Sequence, residues 1–258
     1  MEGTLKIYLG DLTYDTVGLS TEVFPLNIGY IASYCKQIFG DKVEISLFKY
    51  IDKLETALNE APPDILGLSN YAWCYKIGIE MFRLAKEKNS NVITVWGGPN
   101  FPRDILSQEQ FMKTHRGVDV YVPIDGETGF SNIVAKYLEL ESKEKVHENL
   151  LSTPIEGCLS RDKNESLQYN NPVIRIKNLD EIPSPYTTGI LDEFFDGRLS
   201  PMIQTNRGCP FSCTFCTDGS DLVNQVNLFG LKRIEDELKY ISNKVPENIH
   251  SMTISDLN

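Results

Sequence analysis

The sequence predicts an α/β fold: a doubly wound, parallel, five-stranded sheet over residues 1–142, a linker with a β-hairpin over 143–200, and the opening strand–helix–strand of an incomplete second domain over 201–258. Three features predict it. Short β-branched runs alternate with amphipathic stretches at the spacing of βα units from the start of the chain. Turn formers and prolines then replace that alternation, and a strand-like run followed by a helical period resumes near the C-terminus.

In the first region Leu5–Leu9, Val43–Leu47, Ile65–Ser69, Val92–Trp96 and Val118–Val122 have strand length and composition. Helical periods lie between and after them, over Ile28–Phe39, Ile51–Asn59, Tyr75–Lys88, more weakly Ile105–His115, and Phe130–Leu140. Parallel strands need crossover connections, and helices supply them, so the sheet should be covered on both faces. The charged run Glu139–Lys145 reads as a solvated helix end closing the domain. Gly157–Ser160 and Leu167–Tyr169 flank the turn-rich Asp162–Ser166, a hairpin pattern, and Pro183 and Pro185 suit a connector. Beyond it Met202–Asn206 reads as a strand, Leu228–Asn243 as a helix and Ser251–Ser255 as a strand. No internal repeat or low-complexity segment interrupts this order.

A 41% apolar composition is that of packed protein, and 36 acidic against 25 basic residues leave a net charge of −11. That balance, without a basic groove, argues against a nucleic-acid partner. No segment reaches the ~18 apolar residues of a membrane span, and the N-terminus lacks a leader pattern. A cytoplasmic protein is expected, whose six cysteines are thiols or ligands rather than a disulfide framework.

Three of those cysteines cluster in Asn206-Arg207-Gly208-Cys209-Pro210-Phe211-Ser212-Cys213-Thr214-Phe215-Cys216, directly after a predicted strand. At spacings of three and two intervening residues, three thiolates can converge from one loop on one metal centre. The residues alone leave an iron–sulfur cluster with one open iron, part of a zinc site, or unligated thiols. A structural zinc needs a fourth ligand, and the nearest histidine in sequence is His250. Gly208 and Pro210 serve backbone geometry at the loop's start. Arg207 reads either as a functional contact or as a salt-bridging residue that orders the loop.

The CxxxCxxC spacing, the Arg-Gly-Cys-Pro opening and the aromatic residue before the last cysteine resemble the radical S-adenosylmethionine (SAM) superfamily. The resemblance implies a radical SAM (β/α) barrel and a [4Fe–4S] cluster on Cys209, Cys213 and Cys216, with its open iron bound by the amino and carboxylate groups of SAM. Phe215 would pack near the SAM adenine. Also implied is one-electron cleavage of SAM to a 5′-deoxyadenosyl radical that abstracts hydrogen from substrate, with reactivity supplied by the cofactors. Asp256, after the second predicted strand, stands where such proteins place a polar SAM contact; an acidic strand end is equally a solvated feature.

In a doubly wound sheet, ligands bind at the carboxyl ends of the strands near the switch in strand order. Here those ends carry Gly10–Asp11, Ser69–Asn70, Gly97–Pro99 and Asp125–Glu127, with glycines that permit close backbone approach. Together with Phe24–Ala32 leading the first helix, the Asp64–Ser69, Gly97–Pro99 and Gly126–Glu127 runs resemble the cobalamin-binding domain that precedes many radical SAM domains. The resemblance covers essentially the whole chain and implies cobalamin contacts from Ser69, Asn70, Gly97, Gly98 and Gly126. Asp11–Asp15 contains no histidine for an Asp-x-His-x-x-Gly motif, so the domain either binds cobalamin without a protein ligand below the cobalt or keeps the fold without the cofactor. Cys35, Cys74 and Cys158 read as buried small apolar residues. Their spacing does not fit the extra cluster of methylthiotransferases.

The implied function is that of a cobalamin-dependent radical SAM enzyme, methylating or rearranging a small-molecule or biosynthetic-intermediate substrate, with a reductant such as flavodoxin or ferredoxin. Two alternatives stay open: a radical SAM enzyme whose first domain is an empty docking scaffold, and a non-catalytic cofactor-binding module. Only the opening of a barrel is present, so the chain is expected to be a fragment, inactive or weakly active alone because the radical would be unshielded.

Overall fold

The computed structural model describes residues 3–15, 18, 21–140, 144–162, 164, 166–169, 175–214, 216 and 224–256. The chain divides into two compact units, residues 1–20 with 34–174 and residues 21–33 with 175–258.

In the first unit β1 (Leu5–Thr13), β2 (Val43–Tyr50), β3 (Ile65–Ser69), β4 (Ile93–Gly97) and β5 (Val120–Val122) are parallel, in the order β2-β1-β3-β4-β5. The order reverses between β1 and β3, which makes their carboxyl ends the switch point. The five expected strands are joined by two more. The hairpin assigned to the linker, β6 (Leu159–Arg161) and β7 (Leu167–Tyr169), adds antiparallel to β5 and makes the sheet seven-stranded. Val120 pairs with Ser160 and Tyr121 with Leu159, so the backbone of β5 that would otherwise form an open edge is covered.

Between and after these strands run α1 (Leu26–Phe39), whose residues up to 33 belong to the second unit, α2 (Ile51–Glu60), α3 (Tyr75–Lys88), α4 (Ile105–Thr114), α5 (Gly126–Leu138) and the short α6 (Val146–Leu150). Helix α2 buries Leu54 and Leu58, and α3 buries Ile77, Met81, Phe82 and Ala85. Such spacing places one apolar stripe on the sheet. The stripes meet Leu66, Leu68, Trp96 and Tyr121 in one core, where Phe82 lies edge-on to Trp96 at 5.6 Å between centroids. Every residue of β3 is buried, as a central parallel strand covered on both faces requires. Helix α5 begins at Gly126, so the predicted Gly126–Glu127 turn is the helix's first turn.

The second unit contains β8 (Met202–Ile203), β9 (Asn206–Arg207), β10 (Asn227–Leu228), α7 (Leu231–Lys244) and β11 (Thr253–Ile254). Strands β8 and β11 pair in parallel across α7, the expected strand–helix–strand unit, whereas β9 pairs antiparallel with β10. The predicted strand Met202–Asn206 is therefore broken at Gln204–Thr205. Phe24 packs in this unit among Tyr186, Phe194 and Phe195, and its N–H donates to the Ser200 carbonyl at 3.0 Å. Among the described residues, no helix is long and apolar enough to cross a membrane.

Candidate functional site

At the carboxyl edge of the first unit's sheet, Ser69 and Gly97 are direct neighbours across β3 and β4. The next residue, Asn70, is fully buried. Its N–H donates to the Gly97 carbonyl at 2.6 Å, and its own carbonyl accepts from the Asn100 N–H at 3.2 Å. The side chain closes a clip: Nδ2 donates to the Asn100 carbonyl at 2.8 Å and to Tyr121 Oη at 3.3 Å, while Oδ1 accepts from Asn100 Nδ2 at 3.1 Å. Tyr121 Oη donates to the Gly98 carbonyl at 2.7 Å, and burial raises its hydroxyl pKa, keeping it a donor. Gly98 has φ +120°, and a Cβ there would lie 2.8 Å from the Asn70 carbonyl oxygen. The structure thus gathers Ser69, Asn70, Gly97 and Gly98, with the Asn70 amide occupied in shaping the turn. Gly126 opens α5, which follows the next strand along the same edge.

Two further features of this edge escaped the sequence reading. Tyr71 and Trp73 stack at 4.6 Å and 6°, and Trp73 remains 51% exposed, an unusual display of aromatic surface just past a buried strand. Lys49 on β2 is buried and pairs with Asp11 on β1 at 3.0 Å. The signal for it is a lone lysine inside the apolar run Leu47-Phe48-Lys49-Tyr50, since a buried ammonium requires a carboxylate.

In the second unit Cys209, Cys213 and Cys216 form no disulfide, the first and last half-buried and Cys213 exposed. The Cys216 N–H donates to the Cys213 carbonyl at 3.2 Å, which turns the loop back on itself. Before the loop, Arg207 Nε donates to Gln204 Oε1 at 2.9 Å, and its guanidinium lies 5.0 Å from the Tyr30 ring centroid, contacts that order the loop's start. Asp256 accepts from the N–H groups of Thr205 and Asn206 at 2.8 and 3.2 Å and from the Thr205 hydroxyl. Phe215 lies outside the described residues. No three His, Cys, Asp or Glu side chains among the described residues are gathered in metal-ligating geometry. The donor set itself fits an iron–sulfur cluster: three soft, undisulfided sulfurs on one short loop. By contrast Cys35, Cys74 and Cys158 are buried, and burial pushes each thiol's pKa upward.

No protein-family model matches the chain. Among curated proteins, 2-(S-pantetheinyl)-carbapenam-3-carboxylate methyltransferase of Streptantibioticus cattleyicolor is 29% identical over 244 residues, covering 90% of this chain and 34% of that protein. Cobalamin-dependent radical SAM methyltransferase TokK of Streptomyces tokunonensis is 28% identical over 255 residues, covering 94% of this chain and 35% of TokK. Among solved structures, the chain is similar in fold to the cobalamin-dependent S-adenosylmethionine radical enzyme OxsB with aqua-cobalamin and S-adenosylmethionine bound. There the TM-score is 0.71 at 18% identity, over 100% of this chain and 34% of that one. The chain spans about a third of the length of the curated relatives named here.

Proposed function

From the likeness to the cobalamin-dependent radical SAM methyltransferase TokK we propose that this chain forms the cofactor-loading part of such an enzyme. Cys209, Cys213 and Cys216 hold a [4Fe–4S] cluster at which SAM binds, and the carboxyl edge of the seven-stranded sheet holds cobalamin. When bound, these groups supply reductive cleavage of SAM and a transferable methyl group for a small-molecule substrate, with electrons from a flavodoxin- or ferredoxin-type donor.

The chain's own residues bind and orient. The Asn70–Asn100–Tyr121 clip holds the turn after β3 against the turn after β4, so that Ser69, Gly97 and Gly98 present a fixed rim beside the switch point. The exposed indole of Trp73 offers a flat apolar surface to a corrin ring. Gly126 begins a helix, and the partial positive charge of a helix N-terminus favours an acceptor group of the ligand. The thiols of the loop are accessible enough to ligate a metal, whereas the other three cysteines are not.

The observation that carries the reading is the three-cysteine loop itself, shortly after the first strand of the β8–α7–β11 unit in a chain 28% identical to TokK over 94% of its length. Incubation with hydroxocobalamin followed by gel filtration tests the cobalamin part. About one corrinoid per chain, weakened several-fold in Trp73→Ala, is expected; elution free of corrinoid would leave the first unit a scaffold without cofactor.

A further inference from the structure

We infer that Asp256 is a positioning residue that sets how the cysteine loop leaves the barrel strand, rather than a direct contact to SAM; this rests on the proposal that the loop carries a cluster. The backbone breaks between two ladders just before the loop. Strand β8 ends at Ile203, where the parallel ladder with β11 closes with the Ser255 N–H donating to the Ile203 carbonyl at 2.9 Å. The chain then turns through Gln204 and Thr205 before β9 begins an antiparallel pairing with β10.

At that break the amides of Thr205 and Asn206 have left one ladder, and Asp256, two residues beyond β11, takes both on Oδ1 at 2.8 and 3.2 Å. The Thr205 hydroxyl donates to Oδ2. Three donors converge on one half-buried carboxylate, and hydrogen bonds to an ionised acceptor are stronger than neutral ones. The turn that Asp256 fixes is the one Arg207 also grips through Gln204, and Gly208, with φ +105°, and Cys209 follow at once. With both oxygens engaged by the turn, the carboxylate's chemistry is that of a bracket: it needs acceptors in place and no charge on a ligand.

This distinction is testable because asparagine keeps the acceptor and loses the charge. In Asp256→Asn, Oδ1 still accepts from both amides and Nδ2 can donate to the Thr205 oxygen; in Asp256→Ala both amides lose their partner. Thr205→Val removes one donor without touching Asp256, so it informs even where the alanine variant folds poorly. The measurements are backbone amide exchange at Thr205 and Asn206 in the metal-free chain, iron retained after anaerobic reconstitution, and the electron paramagnetic resonance signal of the reduced protein with and without SAM. In Asp256→Ala the two amides should exchange at least about tenfold faster, with iron reduced several-fold. Thr205→Val should show a smaller effect of the same kind. Asp256→Asn should stay within about twofold of the parent and keep the SAM-induced spectral change. Two results overturn the inference: unchanged exchange in Asp256→Ala, or an Asp256→Asn protein that keeps its iron but loses the SAM-induced change. If the parent itself takes up no iron, the cluster proposal fails separately, and the exchange arm still decides whether Asp256 holds the turn.

Discussion

Replacing Gly98 by alanine should damage the sheet's carboxyl edge far more than the same change one residue earlier. Gly98 sits at φ +120°, a conformation costing an L-residue about 1–3 kcal/mol. Its new Cβ would also meet the Asn70 oxygen, nitrogen and carbonyl carbon at 2.8, 3.2 and 3.4 Å. All three are backbone atoms, so no side-chain rotation relieves the clash, and forced backbone shifts in packed surroundings cost about 1–3 kcal/mol more. The sum is roughly 2–6 kcal/mol. At Gly97 the nearest atom is the Val122 oxygen at 3.4 Å, an ordinary contact, so Gly97→Ala should cost below about 1 kcal/mol. Both tryptophans, Trp73 and Trp96, lie in the first unit, so urea unfolding followed by fluorescence reports on it. Equal losses in the two variants, or a Gly98→Ala protein within about 0.5 kcal/mol of the parent, would refute the close-approach argument.

Asn70→Ala removes three side-chain hydrogen bonds of the clip, two with half-buried Asn100 and one with Tyr121, whose hydroxyl keeps its bond to Gly98, so urea unfolding should show a loss of about 2–4 kcal/mol. A loss below about 0.5 kcal/mol would remove the clip from the account. Burial works against charge on Asp119, but a hydrogen bond from His147 and the Lys86 cation at 2.7 Å hold its carboxyl below the usual range. A depressed folded value means this stability is present above the unfolded carboxylate pKa, about 4, and disappears as pH falls through the lower folded value. The unfolding free energy of the parent should therefore drop below about pH 4 with a component missing in Asp119→Asn; identical acid slopes would contradict this. Alkylation of the native chain near pH 8, read by peptide mass spectrometry, should modify Cys209, Cys213 and Cys216 before Cys35, Cys74 and Cys158. Early labelling of Cys35 would mean that the core of the first unit opens readily.

The parallel core is legible in the sequence because each of its strands is an apolar run flanked by turn residues, and the residues at the strand ends follow from the period alone. The hairpin's destination is not legible: Leu159 and Leu167 specify a strand pair, but only the exposed backbone of β5 decides where it docks. Nor does local pattern show that residues 21–33 fold with the second unit, since Phe24 finds its aromatic partners at Tyr186, Phe194 and Phe195, far along the chain. At the candidate site, spacing marks the three cysteines and the glycines, which are constraints on single positions. Asn70 and Asp256 stand at marked positions too, yet their hydrogen bonds run to Asn100 and Thr205, and a partner distant in sequence leaves no local trace.

The most direct measurement on the central claim is anaerobic reconstitution with iron and sulfide, with metal analysis and electron paramagnetic resonance before and after SAM. The parent chain should retain about four irons and show a reduced-cluster signal that changes when SAM is added, and a variant with Cys209, Cys213 and Cys216 all replaced by alanine should retain none. Less than about one iron per chain, tightly held zinc, or equal iron in the parent and the triple variant would contradict it.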